Sequence, residues 1–205
     1  MHEHLLHAHT TLQTVPHVPE IHLHTGDDIT TLWEHTHHPD PPFWAYPWAG
    51  GQALARHLLD HPHHVTGHHV LDLATGSGLV AIAAALAGAT TVTANDIDPH
   101  AATATRLNAH ANHVTLTVDL RDLLDTEPHH DVVLAGDVFY DQTMADRVLP
   151  YLRRAHTSGA LVLAGDPHRH HRPRTGFTTI ARHDVPVHPA LEGSHHRATA
   201  VLRAT

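Results

Sequence analysis

From Val70 onward the chain alternates short β-branched or leucine-rich runs with helical segments, an order that admits few folds beyond a largely parallel sheet with helices on its faces. HVLDL (69–73) reads as the first strand, LVAIAAALA (79–87) as a helix and TTVTAND (90–96) as the second strand. DPHAATATRLNAHA (98–111) predicts a helix capped by Asp98, with Pro99 in the first helical position, where its missing N–H loses no bond. VTLTV (114–118), DVVLAGD (131–137) and ALVLAGD (160–166) supply three more strands, and a helix runs from about Gln142 to Ala155. RHDVPVH (182–188) and HRATAVLR (196–203) fit an antiparallel pair closing one edge of the sheet. That mixed ending separates the architecture from a standard dinucleotide-binding fold.

A chain of 205 residues suits one α/β domain, and a core of that size buries roughly 70% of the unfolded surface. Residues 1–40 are polar, His-rich and weakly periodic, punctuated by Pro16, Pro19 and Pro39. They read as an arm or cap on a domain spanning 41–205. No run of 18 apolar residues and no signal-peptide pattern appears, so the chain reads as cytoplasmic, with no membrane partner. Cysteine is absent, which excludes disulfides, thiolate metal sites and a cysteine nucleophile. The formal charge of -9, without a basic stripe, argues against nucleic acid. All 12 cationic residues are Arg, and 29 His are spread along the chain, so surface charge should change steeply near the ordinary imidazole pKa of about 6.5. The clusters in MHEHLLHAH, HPHHVTGHH (61–69) and HRHHRP (168–173) lack a metal-site pattern and read as solvated surface. The sequence carries no signal for oligomeric state.

The first strand runs into Asp72-Leu73-Ala74-Thr75-Gly76-Ser77-Gly78, followed directly by a helix. Glycines at such a turn allow positive φ and close approach of a ligand to backbone N–H groups at the helix start. Asp96 ends the second strand, 18 residues past Gly78, where a carboxylate accepts ribose hydroxyls. Ala81 stands where a dinucleotide loop has its third glycine and still permits close packing, so the loop alone leaves NAD open. Two points favour S-adenosylmethionine. Asp72 suits the cofactor's amino group through the loop, and Asp122, followed by Leu123 and Leu124, lies where adenine N6 would sit.

PPFWAYPWAGGQALARHLLDHP (41–62), VLDLATGSGLVAIAA (70–84), ANDIDP (94–99), LAGDVFYDQTMADRVLPYLRR (134–154) and AGDPHR (164–169) resemble, in order and spacing, the lysine methyltransferases that act on the electron transfer flavoprotein β-subunit. The resemblance covers about Pro19 to Arg203 and includes a PEI-x-L start (19–23). It implies a Rossmann-like α/β fold with a seven-stranded, mostly parallel sheet, an antiparallel C-terminal edge, helices on both faces, and S-adenosyl-L-methionine as methyl donor. A D-x-x-Y motif at the methyl-transfer site falls on Asp137 and Tyr140. Trp44, Trp48 and Gln52 then wall the cofactor pocket, with Asp72, Ala74, Gly76, Gly78, Asp96, Ile97, Asp122 and Leu123 on the cofactor. Tyr46, Phe139, Asp166 and His168 fall on the substrate side. Three positions depart from the family pattern: Ala74 replaces the first loop glycine, Ala49 a usual proline and His168 a usual glycine.

Methyl transfer from a sulfonium is an in-line displacement in which positioning supplies most of the rate. A lysine acceptor must arrive neutral, because an ammonium has no lone pair. Asp137 can orient the amine and receive a proton through solvent, Tyr140 can hydrogen-bond it, and Trp44, Tyr46 and Trp48 can attract cationic groups. The same residues admit plainer roles, Asp137 as cap of the next helix and the aromatics as a buried corner. The acceptor is either a protein or a small molecule. A recruited enzyme acting on the cofactor's own aminobutyrate chain, releasing methylthioadenosine, and a cofactor-binding protein without turnover both stay open at this stage.

Overall fold

The computed structural model describes residues 2–205. The chain opens with helix α1 (His2–His9), a hairpin of β1 (Thr10–Val15) and β2 (Val18–Gly26), and helix α2 (Ile29–Thr36). A short 3₁₀ turn (Phe43–Ala45) leads into α3 (Ala49–Asp60). There follow β3 (His69–Leu73), α4 (Leu79–Leu86), β4 (Thr91–Asn95), α5 (Pro99–Ala111), β5 (Thr117–Asp119), β6 (Val132–Gly136), α6 (Gln142–Thr157), β7 (Leu161–Asp166), β8 (Phe177–Pro186), α7 (Pro189–Glu192) and β9 (His196–Ala204).

Among the described residues seven strands share one sheet in the order β5-β4-β3-β6-β7-β9-β8. The first five are parallel, and β9 and β8 pair antiparallel. This is the expected α/β class with its antiparallel edge. The chain steps outward from β3 to β5, then returns to β6 on the other side of β3. That reversal opens a crevice at the carboxyl ends of β3, β4 and β6, where open α/β sheets take ligands.

The central strands are apolar on both faces because both faces are covered. Val70, Val132, Leu134 and Leu163 pack into the layer holding α3 and α4. Leu71, Leu73, Val133, Ala135, Val162 and Ala164 pack into the layer holding α6. Two strand boundaries differ from expectation: the run at 114–118 pairs only over Thr117–Asp119, and the edge strand expected from 182 begins at Phe177. VTLTV alternates cleanly but meets β4 only from Thr117 onward, and in β8 the apolar pattern is blurred because Ile180 faces solvent while Thr179 and His183 are half-buried.

The polar reading of the N-terminal segment conceals the hairpin. Val15, Val18, Ile21 and Leu23 are fully buried in the same core as α3 and α4, while the residues between them face outward. Helix α3 also escaped the sequence reading, because its first turn is AGGQ. Those glycines are seating surfaces: a Cβ on Gly50 would lie 2.5 Å from the Gly165 carbonyl, and one on Gly165 would lie 1.9 Å from the Gly50 carbonyl. With no side chains between them, the helix start rests on the ends of β6 and β7. Leu54 and Leu58 then drop into the core, each worth about 1.5–3 kcal/mol of burial.

His57 lies on the same helix, 3% exposed, with no hydrogen-bond partner on either ring nitrogen. Its ring stacks on His61 at 4.4 Å and on His64 at 5.3 Å between centroids. Burial, and then the like charge of His61, His64 and His183, push its pKa from 6.5 down to about 4, against the opposing pull of Asp60. The unfolded chain therefore takes up this proton first. The stability contributed by neutral His57 is complete above its unfolded value of 6.5 and is lost as pH falls toward about 4, at about 1.4 kcal/mol per pH unit for one proton. Urea unfolding across that range should show the acid-side slope reduced by about one proton in His57→Leu; an unchanged slope would assign the acid sensitivity elsewhere.

Candidate active site

A cavity of about 920 Å³ occupies the crevice at the ends of β3, β4 and β6. Its floor is the loop from Asp72 to Ser77, its walls the segments around Asp96, Asp122 and Asp137, and its roof the aromatic stretch before α3. Trp44 is 2% exposed yet faces the cavity, so the aromatic segment is both buried corner and site wall. The Trp48 indole N–H donates to the Phe43 carbonyl at 2.7 Å and fixes the roof to itself.

Each buried carboxylate is held differently. Asp72 Oδ2 accepts from the Thr75 hydroxyl and from the Ala81 N–H (3.0 Å), tying the loop to α4. Burial pushes its carboxyl up to about 7. Among the described residues nothing donates to Asp72 Oδ1, and Asp72 lines the cavity. Asp96 accepts the Gly76 N–H at 2.9 Å on one oxygen and the Asp98 N–H at 3.0 Å on the other. Each oxygen keeps a second lone pair for a hydroxyl donor. Burial pushes the Asp96 carboxyl up as well, against those N–H bonds. Asp122 is the exposed member, oriented by Arg147 at 2.8 Å and by the Leu124 N–H at 3.1 Å.

The loop is braced from behind by residues the sequence reading missed. Thr105 and Asn108 of α5 donate to the carbonyls of Gly76 (3.2 Å) and Ser77 (2.8 Å). Asn108 Oδ1 also accepts the His24 N–H at 2.8 Å, which links the hairpin to the loop. The signal was present in the polar residues on an otherwise alanine-rich helix face, at positions 105 and 108.

Of the residues singled out from sequence, Trp44, Tyr46, Trp48, Asp72, Ala74, Gly76, Asp96, Ile97, Asp122, Asp137 and Tyr140 face one cavity. Six do not line it. Gly78 caps α4 at φ 83 with Thr105 behind it, so it shapes the loop. Gln52 points the other way: its carbonyl accepts the His17 N–H at 3.1 Å and its amide donates to Pro47 O (2.7 Å) and Pro186 O (3.2 Å). Leu123 is buried in the α6 layer, leaving Asp122 and Leu124 on the wall. Phe139 is fully buried against Phe177. Asp166 is fully buried beneath the site, and burial pushes its carboxyl up to about 6. His168 turns toward Arg172, 3.0 Å from its Nδ1, and its neighbour Arg169 lines the cavity in its place. Tyr46 lines the cavity, but its buried hydroxyl has no partner and lies beside Gly26 of the hairpin.

Asp137 does not cap the following helix; Asp141 does, accepting the Met144 N–H at 3.0 Å. Asp137 is buried and held in a fork by Arg169, Nε to Oδ1 at 2.7 Å and Nη2 to Oδ2 at 2.9 Å. Burial pushes its carboxyl up and the guanidinium pulls it back. Tyr140 stands half-exposed at the mouth with its ring 5.4 Å from that of Phe43. Phe43 and Arg169 lie in two of the segments that carry the family resemblance, 41–62 and 164–169, but neither had a role assigned there.

The cavity fits S-adenosylmethionine on its own geometry: an Asp72 oxygen without a donor at the cavity lining, free lone pairs on Asp96 beside a glycine turn, and an indole wall. Seven aspartates and two arginines line it, a balance suited to a sulfonium and unsuited to a pyrophosphate. Fold and site together define a class I S-adenosylmethionine-dependent methyltransferase. A family profile described as ribosomal protein L11 methyltransferase (PrmA) matches residues 53–144. The chain is 41% identical over 197 residues to the electron transfer flavoprotein beta subunit lysine methyltransferase of Danio rerio, covering 90% of this chain and 76% of that protein. Against the Homo sapiens protein of the same name it is 43% identical over 166 residues, covering 80% of this chain and 60% of the relative. The solved magnesium protoporphyrin IX methyltransferase from Synechocystis PCC 6803 with bound SAM shares the fold at a TM-score of 0.55 and 15% identity, covering 76% of this chain and 79% of that one. The chain belongs to the electron transfer flavoprotein beta subunit lysine methyltransferase family.

Two departures from the family pattern now have a physical reading. Ala74 (φ 55) and His168 (φ 61) both adopt the left-handed conformation that explains the glycine usual at each position. Ala74→Gly should raise stability by about 0.5–1 kcal/mol, the left-handed penalty less the extra freedom of glycine in the unfolded chain. Thermal unfolding checks it, and a destabilised Gly variant would mean that the methyl group's packing outweighs the strain.

Proposed function

We propose that this methyltransferase acts on the side-chain amine of lysine in a protein acceptor of the electron transfer flavoprotein beta subunit type. The relatives' names support the acceptor class. The observation that carries the chemistry is the mouth of the cavity, where the Tyr140 and Phe43 rings meet. Partial burial, and then the carboxylates of Asp96, Asp141, Asp40 and Asp137, push the Tyr140 hydroxyl pKa up. An aromatic pair ringed by four carboxylates attracts a flexible cationic side chain and repels an anionic one.

Once bound, S-adenosylmethionine supplies a methyl group on a positively charged sulfur. Asp96 accepts the ribose hydroxyls, Asp122 faces the adenine amine, the loop from Asp72 to Gly76 receives the amino acid portion, and Trp44 and Trp48 exclude water. Asp137 accepts a hydrogen bond from the acceptor amine through the lone pair of Oδ1 that Arg169 leaves free, and Tyr140 adds a second polar contact. The amine must shed one proton before its lone pair forms the new C–N bond. Asp137 is occupied by the Arg169 fork, and the proton leaves to solvent at the open mouth.

Calorimetry should find Asp96→Ala weakened more than tenfold for the cofactor, about 2 kcal/mol for a charged hydrogen-bonding pair. Unchanged affinity would remove Asp96 from the ribose. Asp137→Asn should keep cofactor affinity and lose turnover on a lysine-bearing beta subunit, read as methyl groups added per lysine by mass spectrometry. Wild-type turnover in that variant would sink the role of Asp137, and transfer to a residue other than lysine would sink the acceptor assignment.

A further inference from the structure

We propose that Arg169, anchored by Glu192, is a positioning residue that keeps Asp137 ionised and cancels its charge as felt by the acceptor amine. This rests on the reading of Asp137 as the group that meets the amine. A carboxylate beside an amine has one useful effect and one harmful effect. It orients the nitrogen through a hydrogen bond, but its charge favours the ammonium form, which has no lone pair. A carboxyl in so dry a position also tends toward its own neutral form, which would cease to accept.

Both problems are met by the arginine fork. The guanidinium stays protonated at any working pH and matches a carboxylate with two parallel bonds, here 2.7 and 2.9 Å long. With the Gly50 N–H also on Oδ2, it leaves the second lone pair of Asp137 Oδ1 available while supplying an equal and opposite charge. Arg169 has its own anchor besides Asp137, which follows the end of β6 at φ 60. Glu192 supplies it from α7, in the connection between the two edge strands. Glu192 is 8% exposed and does not line the cavity. Its Oε1 accepts from Arg169 Nη2 (3.3 Å) and from the Ala49 N–H (3.4 Å), and its Oε2 accepts from Arg197 Nε of β9 (3.3 Å).

The charges alternate along the row Asp137, Arg169, Glu192, Arg197, so the set is neutral. The other groups facing it are the Gly50 N–H of α3, 3.4 Å from Asp137 Oδ2, and Tyr140 beyond the end of β6. Asp166 of β7 stands behind, with Arg172 3.8 Å away as its nearest cation. The Ala49 N–H exists only because this chain lacks the proline usual there in the family, so Glu192 gains a donor from that departure.

Loss of Arg169 has the same sign by either route. Asp137 takes up a proton, or it stays charged and holds the amine as ammonium; both move the onset of activity to higher pH. The test uses the full chain with Arg169→Gln, Arg169→Lys and Glu192→Gln. Turnover on a lysine-bearing beta subunit is followed across pH as S-adenosylhomocysteine, and the Asp137 carboxyl carbon is titrated by NMR without acceptor. Arg169→Gln should shift the acidic limb of kcat upward by about one pH unit or more, a tenfold loss below the limb that recovers above it. Arg169→Lys should restore part of the shift, Glu192→Gln should show a smaller one, and the Asp137 carboxyl should titrate higher in each. A profile of wild-type shape scaled down evenly, or an unmoved Asp137 titration, would overturn the proposal and leave Arg169 a structural strut. The two mild variants keep the test valid if Arg169→Gln does not fold. If wild-type protein methylates no lysine, the reading of the site fails with the proposal, whereas an unmoved carboxyl in an active enzyme defeats the proposal alone.

Discussion

The start of α3 lies directly on the ends of β6 and β7, backbone against backbone, at Gly50 and Gly165. Much of the site follows from that contact. It brings the Gly50 N–H to Asp137 and the Ala49 N–H to Glu192, and it hangs the aromatic stretch Phe43–Trp48 over the cofactor loop. Any side chain at either glycine would collide with the facing backbone and push the helix off the strand ends. The roof of the cavity would rise with it. The contact also shows why a helix beginning AGGQ is stable: packing of Leu54 and Leu58 outweighs the poor helix propensity of its first turn.

Burial acts on three carboxylates around one cavity, and the protein answers it in three ways. Asp72 is left with one oxygen unpaired toward the cavity and a carboxyl raised to about 7. Asp96 is satisfied by backbone N–H groups that leave its outward lone pairs free. Asp137 is matched by a guanidinium. One residue type thus presents three different electrostatic surfaces to the same cavity through its surroundings.

The central sheet was legible because β3, β4, β6 and β7 are short apolar runs, and the loop was legible because its glycines lie at fixed distances from Asp72 and Asp96. Asp98 and Pro99 start α5 as their chemistry requires. The hairpin was hidden because β1 is buried only at its two ends and β2 interleaves its apolar residues with His22 and His24, and α3 was hidden by its glycines. Resemblance placed Asp137 and Tyr140 in the cavity, yet it also carried Gln52, Phe139 and Asp166, whose side chains point into the hairpin contact or the core. Strand-end neighbours alternate in direction, so a motif names a stretch more surely than it names the side that faces the ligand. Arg169 and Glu192 escaped because their partners lie 32 and 143 residues away in sequence.

In the proposed arrangement one cavity at the carboxyl ends of β3, β4 and β6 presents a methyl donor to an amine held at Asp137. A crystal structure of the protein with S-adenosylhomocysteine and a lysine-bearing peptide tests it most directly. Both ribose hydroxyls should lie on Asp96, with the sulfur facing the lysine nitrogen between Asp137 and Tyr140. A cofactor bound outside this cavity, or a sulfur turned away from Asp137 with the lysine elsewhere, would contradict it.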